Sequence, residues 1–165
     1  VIIFMIIYYR LPGVVASITL VIYTIVTLAI FKLLGVTLTL SGIAGFILSV
    51  GMAVDANVLV FERLKEELSE GRSLSAALEE AFIRAWSSIR DSNITTLISC
   101  VFLLWIGTGF VQGFAVTLAV GVLVSMFSAI VITRNLMRWI LVWFKNGANH
   151  LFLGYKKQEQ NSEIK

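Results

Sequence analysis

Residues 38–61 read LTLSGIAGFILSVGMAVDANVLVF, twenty-four residues with a single charge, Asp55. A helix rises about 1.5 Å per residue, and crossing the hydrocarbon core of a bilayer takes roughly 20 mostly apolar residues. The stretch is long and apolar enough to cross. Asp55 lies seven residues, about 10 Å of helix, inside the charged boundary that opens at Glu62. A carboxylate at depth costs several kcal/mol, so such groups face a protein interior or water and mark ion or proton paths. Gly42, Gly45, Ser49, Ala53 and Ala56 recur every three or four residues, a small-residue stripe that lets helices approach closely in lipid. At about 100° per residue, Ala44, Leu48, Gly51 and Leu59 share the Asp55 face beside that stripe, and Asn57 points to the other side. This pattern predicts a central helix with Asp55 enclosed among its neighbours.

Further membrane helices flank this one. Residues 13–34 are apolar except for Lys32, and residues 90–110 and 113–137 contain two more apolar runs. Residues 1–9 are apolar but rise only about 14 Å, so they are expected to be the end of a longer span whose start is missing. Between the second and third complete spans, residues 72–88 form an amphipathic pattern. Leu74, Ala77, Leu78, Ala81, Phe82, Ala85 and Trp86 fall at helical spacing, behind Ser73 as a cap and Gly71 as the preceding stop. The expectation is a separate helix lying along the membrane surface. Residues 145–165 form a polar tail.

Composition agrees. The chain is 58% hydrophobic and 14% charged, with a mean hydropathy of +0.92, against about 25% charged in soluble domains. The fold class expected is an all-α, polytopic transmembrane bundle. A net charge of +3 could suggest nucleic acid, but an up-down helical path puts 12 of the 13 basic residues on one side, leaving Lys32 on the other. The positive-inside rule makes that side cytoplasmic, including the C-terminus, and already accounts for the bias, so no nucleic-acid partner is called for. Cys100 and His150 each stand alone, which excludes a disulfide framework and argues against a metal centre. No phosphate loop, nucleophile elbow, HExxH or CxxC occurs, so the chain is not expected to be an enzyme or to need a cofactor.

Two further groups qualify as candidates. Asp91, Asn93, Thr95 and Thr96 open the 90–110 span: Asp91 and Thr95 share one face, Asn93 and Thr96 another. They could line a wet path toward Asp55, or Asp91 could simply favour the helix dipole and pair with Arg90. Gly121, Ser125 and Ser128, with Ala129, form a second small stripe that marks the last span as the partner of the Asp55 helix. Glu62, Arg63, Lys65, Glu66, Glu67 and Glu70 read as a solvated helix end.

The run Gly51 to Leu68, GMAVDANVLVFERLKEEL, resembles the signature of the SecD/SecF family, in its SecD branch. The resemblance extends to Gly71-Arg72, to Ala76-Ala77, to DSNITTL at 91–97, to GTGFVQGFA at 107–115, and upstream to Tyr9-Arg10 and LTLSGIAG at 38–45. It covers roughly residues 1–140. It implies membership of the RND superfamily and a six-span half-bundle paired with SecF. A large extracytoplasmic domain, absent from this sequence, would lie between the first two spans. The implied activity is proton-gradient-assisted late export across the bacterial inner membrane, alongside the SecYEG channel after SecA has acted, with the exported polypeptide handled by the absent domain. In that family the acid matching Asp55 is associated with proton coupling, while Asp91 matches a polar position of less defined role. Gly51, Asn57, Asn93, Thr95, Thr96 and Ser125 are the expected supporting residues. The competing expectations are an RND-type proton-coupled exporter of small molecules or lipids, and a passive scaffold in which Asp55 only joins helices.

Overall fold

The structure, a computed structural model, describes residues 2–9 and 11–143; the polar tail expected at 145–165, with His150, lies outside the described residues. The helices are α1 (Ile2–Tyr9), α2 (Leu11–Leu33), α3 (Leu40–Ser69), α4 (Leu74–Ile106), α5 (Gly109–Phe127) and α6 (Arg134–Trp143), with a π-helical segment, Ser128–Thr133, joining α5 to α6. No strand occurs among the described residues, and the all-α class read from the sequence holds. Four helical stretches are long and apolar enough to cross a membrane: Pro12–Leu33, Leu40–Ser69, Leu74–Ile106 and Gly109–Trp139.

Local chemistry sets the ends of these helices. Pro12 stands in the first turn of α2, where a missing N–H costs nothing, and Gly13 permits a close approach to the Met5 carbonyl that no Cβ could share. Gly35 ends the α2 turn at φ 66°, and Gly71 turns α3 into α4 at φ 83°, both left-handed conformations that glycine adopts freely. Thr39 caps α3 by accepting from the Gly42 N–H at 3.2 Å, and Ser73 caps α4 through Ala76.

The amphipathic segment departs from expectation. Residues 72–88 do not form a separate surface helix, because α4 runs unbroken for 33 residues, about 50 Å. Nothing between Ser73 and Gly107 interrupts it, since Arg90 and Asp91 break the apolar pattern but not the backbone. Its apolar face also has protein for a partner. Ala77, Leu78, Ala81, Phe82 and Ala85 are buried in one core with Val60, Phe61, Leu64 and Leu68 of α3. The two helices thus continue past their apolar portions as a hairpin at the charged end of the bundle. Glu67, expected in solvent, is 1% exposed there, between Arg84 Nη1 at 2.8 Å and Arg72 Nε at 3.1 Å. These are ion pairs without aligned hydrogen bonds. Hydrophobic neighbours fix where the chain runs, and the two arginines neutralise the acid caught between the helices.

Helices α3 and α5 approach along the small-residue stripes. A Cβ on Gly45 would stand 2.6 Å from the Phe114 carbonyl oxygen, and one on Gly121 would overlap the Ser49 side chain. The α3–α5 pairing predicted from those stripes is present. Cys100 is buried beside Ala115, Leu118 and Val122 as a small hydrophobe.

Candidate functional site

Asp55 is not enclosed by the described residues. It is exposed on α3, and no described residue bonds to it or pairs with it. Its face is open along its length: Ala44, Leu48 and Gly51 are exposed, Leu59 is half-buried, and a Cβ on Gly51 would meet nothing within 4 Å. The correction has a geometric cause. The stripe of Gly42, Gly45, Ser49, Ala53 and Ala56 takes up α5, and the adjoining Asp55 face receives no helix among the described residues.

Helix α4 borders that open face. Thr96 Oγ1 lies 4.0 Å from Met52 Sδ, and in the antiparallel register this sets, Asp55 stands level with Asn93. Only 17% of the apolar window of α4 is buried, against 39% for α2 and for α3 and 50% for the last span, so α4 is the helix left most open. Asp91, Ser92, Thr95 and Ser99 are all exposed on it. Asp91 pairs with its neighbour Arg90 at 2.9 Å, the local arrangement, and Thr95 donates to the Asp91 backbone carbonyl rather than to its carboxylate. Thr96 donates likewise to the Ser92 carbonyl at 3.2 Å. These hydroxyls satisfy themselves on their own helix. Asp55 does not.

The remaining candidates are separated from that face. Asn57 is buried on the far side of α3, where its Oδ1 accepts from Thr133 Oγ1 at 2.8 Å. Asn93 is buried, while Ser125 is buried and donates to Val122 of its own helix at 2.8 Å. The structure therefore brings Asp55, Gly51, Thr96 and the Asp91–Thr95 edge toward one side, and leaves Asn57 and Ser125 in the packed interior.

Sequence reasoning missed three polar junctions. Tyr23, 1% exposed, shares a hydrogen bond of 2.8 Å with Ser49 and donates to the Gly121 carbonyl at 3.3 Å, tying α2 to the α3–α5 contact. A tyrosine inside an apolar run was the available signal, because a buried phenol needs a partner. Thr133 meets Asn57 within the π-helical turn, a device sequence patterns do not reveal. At the charged end, where α4 and α6 run past the apolar portions of the spans, Glu79 receives Arg134 and Arg138, and these guanidinium hydrogen bonds, Arg138 first, hold its carboxyl below the usual range.

The fold and site define a multi-pass helical membrane protein whose bundle leaves one polar-streaked face uncovered beside an unpaired carboxylate. Its sequence matches the family described as "Protein export membrane protein SecD/SecF, C-terminal" over residues 1–143, and the chain belongs to that family, in its SecD C-terminal region. It is 61% identical over 142 residues to the protein translocase subunit SecD of Synechocystis sp., covering 86% of this chain and 30% of that protein. It is also 61% identical to the SecD subunit of Thermobaculum terrenum, covering 84% and 28% of the two chains. The crystal structure of SecDF, a translocon-associated membrane protein from Thermus thermophilus, superposes with a TM-score of 0.84 at 42% identity, covering 88% of this chain and 20% of that one. The chain spans under a third of the length of these SecD relatives.

Proposed function

We propose that this chain is the membrane-coupling part of an accessory export subunit, in which Asp55 takes up and releases protons as the surrounding helices change arrangement. The observation that carries the reading is an unpaired carboxyl within an apolar span, on a face that no described residue covers. Lipid is a poor neighbour for it, and a protein partner is the natural cover. SecF is that partner in this reading, with its own helices completing the bundle against α3 and α4. The complex assists the SecYEG channel after SecA has pushed the chain, and a domain outside this sequence handles the exported polypeptide. The lysines and arginines gathered at one end support an orientation with that end in the cytoplasm, and in this reading the membrane is the bacterial inner membrane.

A proton moving through 100 mV supplies about 2.3 kcal/mol, enough to bias two arrangements differing by a few kcal/mol. Asp91 plays an entry role at the charged end of the path, with Thr95 and Thr96 beyond it. Asp55 does not join helices among the described residues, so an adhesive role would have to be played against the companion subunit. The test is Asp55→Asn in the full-length subunit assembled with its companion, assayed for gradient-dependent export in proteoliposomes. Loss of the gradient-dependent component, with assembly intact, supports the reading; undiminished export rejects it.

A further inference from the structure

A groove of about 330 Å³ opens on the side of the bundle where α3, α4 and the π-helical turn meet, well away from Asp55's face. Val60, Phe82, Trp86, Ile89 and Ile130 make its wall almost wholly apolar, and Arg134 stands at its rim. That volume falls in the range of small-ligand sites, roughly 300–1,000 Å³. Its level on the bundle is informative. Val60 lies just before the first charge at the end of α3, Glu62, and Arg134 is the first charge after the uncharged run of α5. The groove thus sits where the helices pass from hydrocarbon to headgroup depth, with Trp86 placed as an interfacial aromatic.

The rim has a charge to spare. Arg134 and Arg138 both bond to the single carboxylate of Glu79, leaving one net positive charge. Arg134 lies over the Phe82 ring, 6.0 Å from its centroid, and its Nε is buried with no acceptor among the described residues. The part of the Arg134 guanidinium that stays exposed at the rim, with the net positive charge beside it, favours an occupant that brings an anionic acceptor. An apolar body, an anionic acceptor at one end and residence at headgroup depth together describe one kind of molecule.

We infer that this groove binds an anionic phospholipid, with an acyl chain against Trp86 and Ile130 and the phosphate on Arg134. The inference is independent of Asp55 and stands or falls apart from the proposed proton role. The test uses the full-length subunit with its companion, engineered so that Trp86 is the only tryptophan. It is reconstituted in phosphatidylcholine vesicles containing brominated phosphatidylglycerol or, separately, brominated phosphatidylcholine. Phosphatidylglycerol is expected to quench Trp86 at about a fivefold lower mole fraction, the factor one surface cation adds. Arg134→Gln is expected to abolish that preference, and Ile83→Phe, at the exposed lip, to lower quenching by both lipids. Equal potency of the two lipids would overturn the inference, since the groove would then merely face bulk bilayer. Absence of quenching by either would also overturn it, by showing that a protein segment fills the groove. A preference that survives Arg134→Gln would do the same.

Discussion

Adding one methyl group to each of two glycines on α3 separates the packed face of that helix from the open one. At Gly45 the new Cβ would stand 2.6 Å from the Phe114 carbonyl oxygen, and ordinary contact begins at 3.4 Å, so α3 and α5 must part by about 0.8 Å. Backbone cannot swing aside as a flexible side chain can, and forced repacking of this kind costs about 1–3 kcal/mol. At Gly51 the same methyl meets nothing within 4 Å. Both substitutions gain the helix preference of alanine over glycine, about 1 kcal/mol, so the difference between them isolates the packing cost. The full-length subunit, freed of its companion, should therefore lose up to about 2 kcal/mol with Gly45→Ala and gain up to about 1 kcal/mol with Gly51→Ala. Steric-trap unfolding in detergent micelles measures both. Within the assembled complex the benefit at Gly51 should disappear, because the companion then occupies the open face. Equal effects at the two positions in the isolated subunit would refute the assignment of faces.

Thr133→Val removes the donor to buried Asn57 while keeping the shape, and should destabilise the bundle by about 0.6–1.7 kcal/mol in the same unfolding assay. Arg84→Met leaves the buried Glu67 carboxylate with Arg72 alone and should cost less than the about 3–5 kcal/mol of a fully uncompensated buried charge, with much of the loss recovered in the double variant Arg84→Met, Glu67→Leu. Glu79 holds its proton less tightly in the folded protein than unfolded, because Arg138 and Arg134 bond to its charged form. The stability it contributes is therefore present above the ordinary carboxylate range, near 4.5, and is lost as pH falls through the lower folded value. Hydrogen exchange over residues 134–139 should accelerate in that acid window, and Glu79→Gln should remove the dependence.

Much of this architecture could be read from residue type and spacing. The apolar runs, the Ser73 cap, the left-handed Gly71 and the matching small-residue stripes are local features, and local features are what a linear pattern records. The union of residues 74–88 with the following span was hidden because Arg90 and Asp91 interrupt hydrophobicity beside cap-type residues, yet no glycine or proline stands there, Ser87 donates back to the Arg84 carbonyl and Asp91 binds Arg90, so none of them starts a new helix. The amphipathic face of that segment was visible, but a lipid surface and the apolar side of α3 attract it equally well. Asp55 shows the same ambiguity in sharper form. Periodicity fixed its face beside the stripe, yet whether that face meets its own chain, another chain or solvent depends on which helices arrive to cover it. Thr133 was passed over because its role depends on the wider π-helical turn, which brings its hydroxyl to Asn57.

Proton coupling through Asp55 requires its face to be closed by protein in the assembled complex. Spin labels at Leu48, seven residues before Asp55 on that face, and at the outward Ile25 of α2 test this directly through their collision rates with dissolved oxygen in lipid. Joining the companion subunit should shield the label at Leu48 from oxygen and leave the label at Ile25 as accessible as before. If Leu48 in the complex collides with oxygen as freely as Ile25, the face lies in lipid and the coupling role for Asp55 is contradicted.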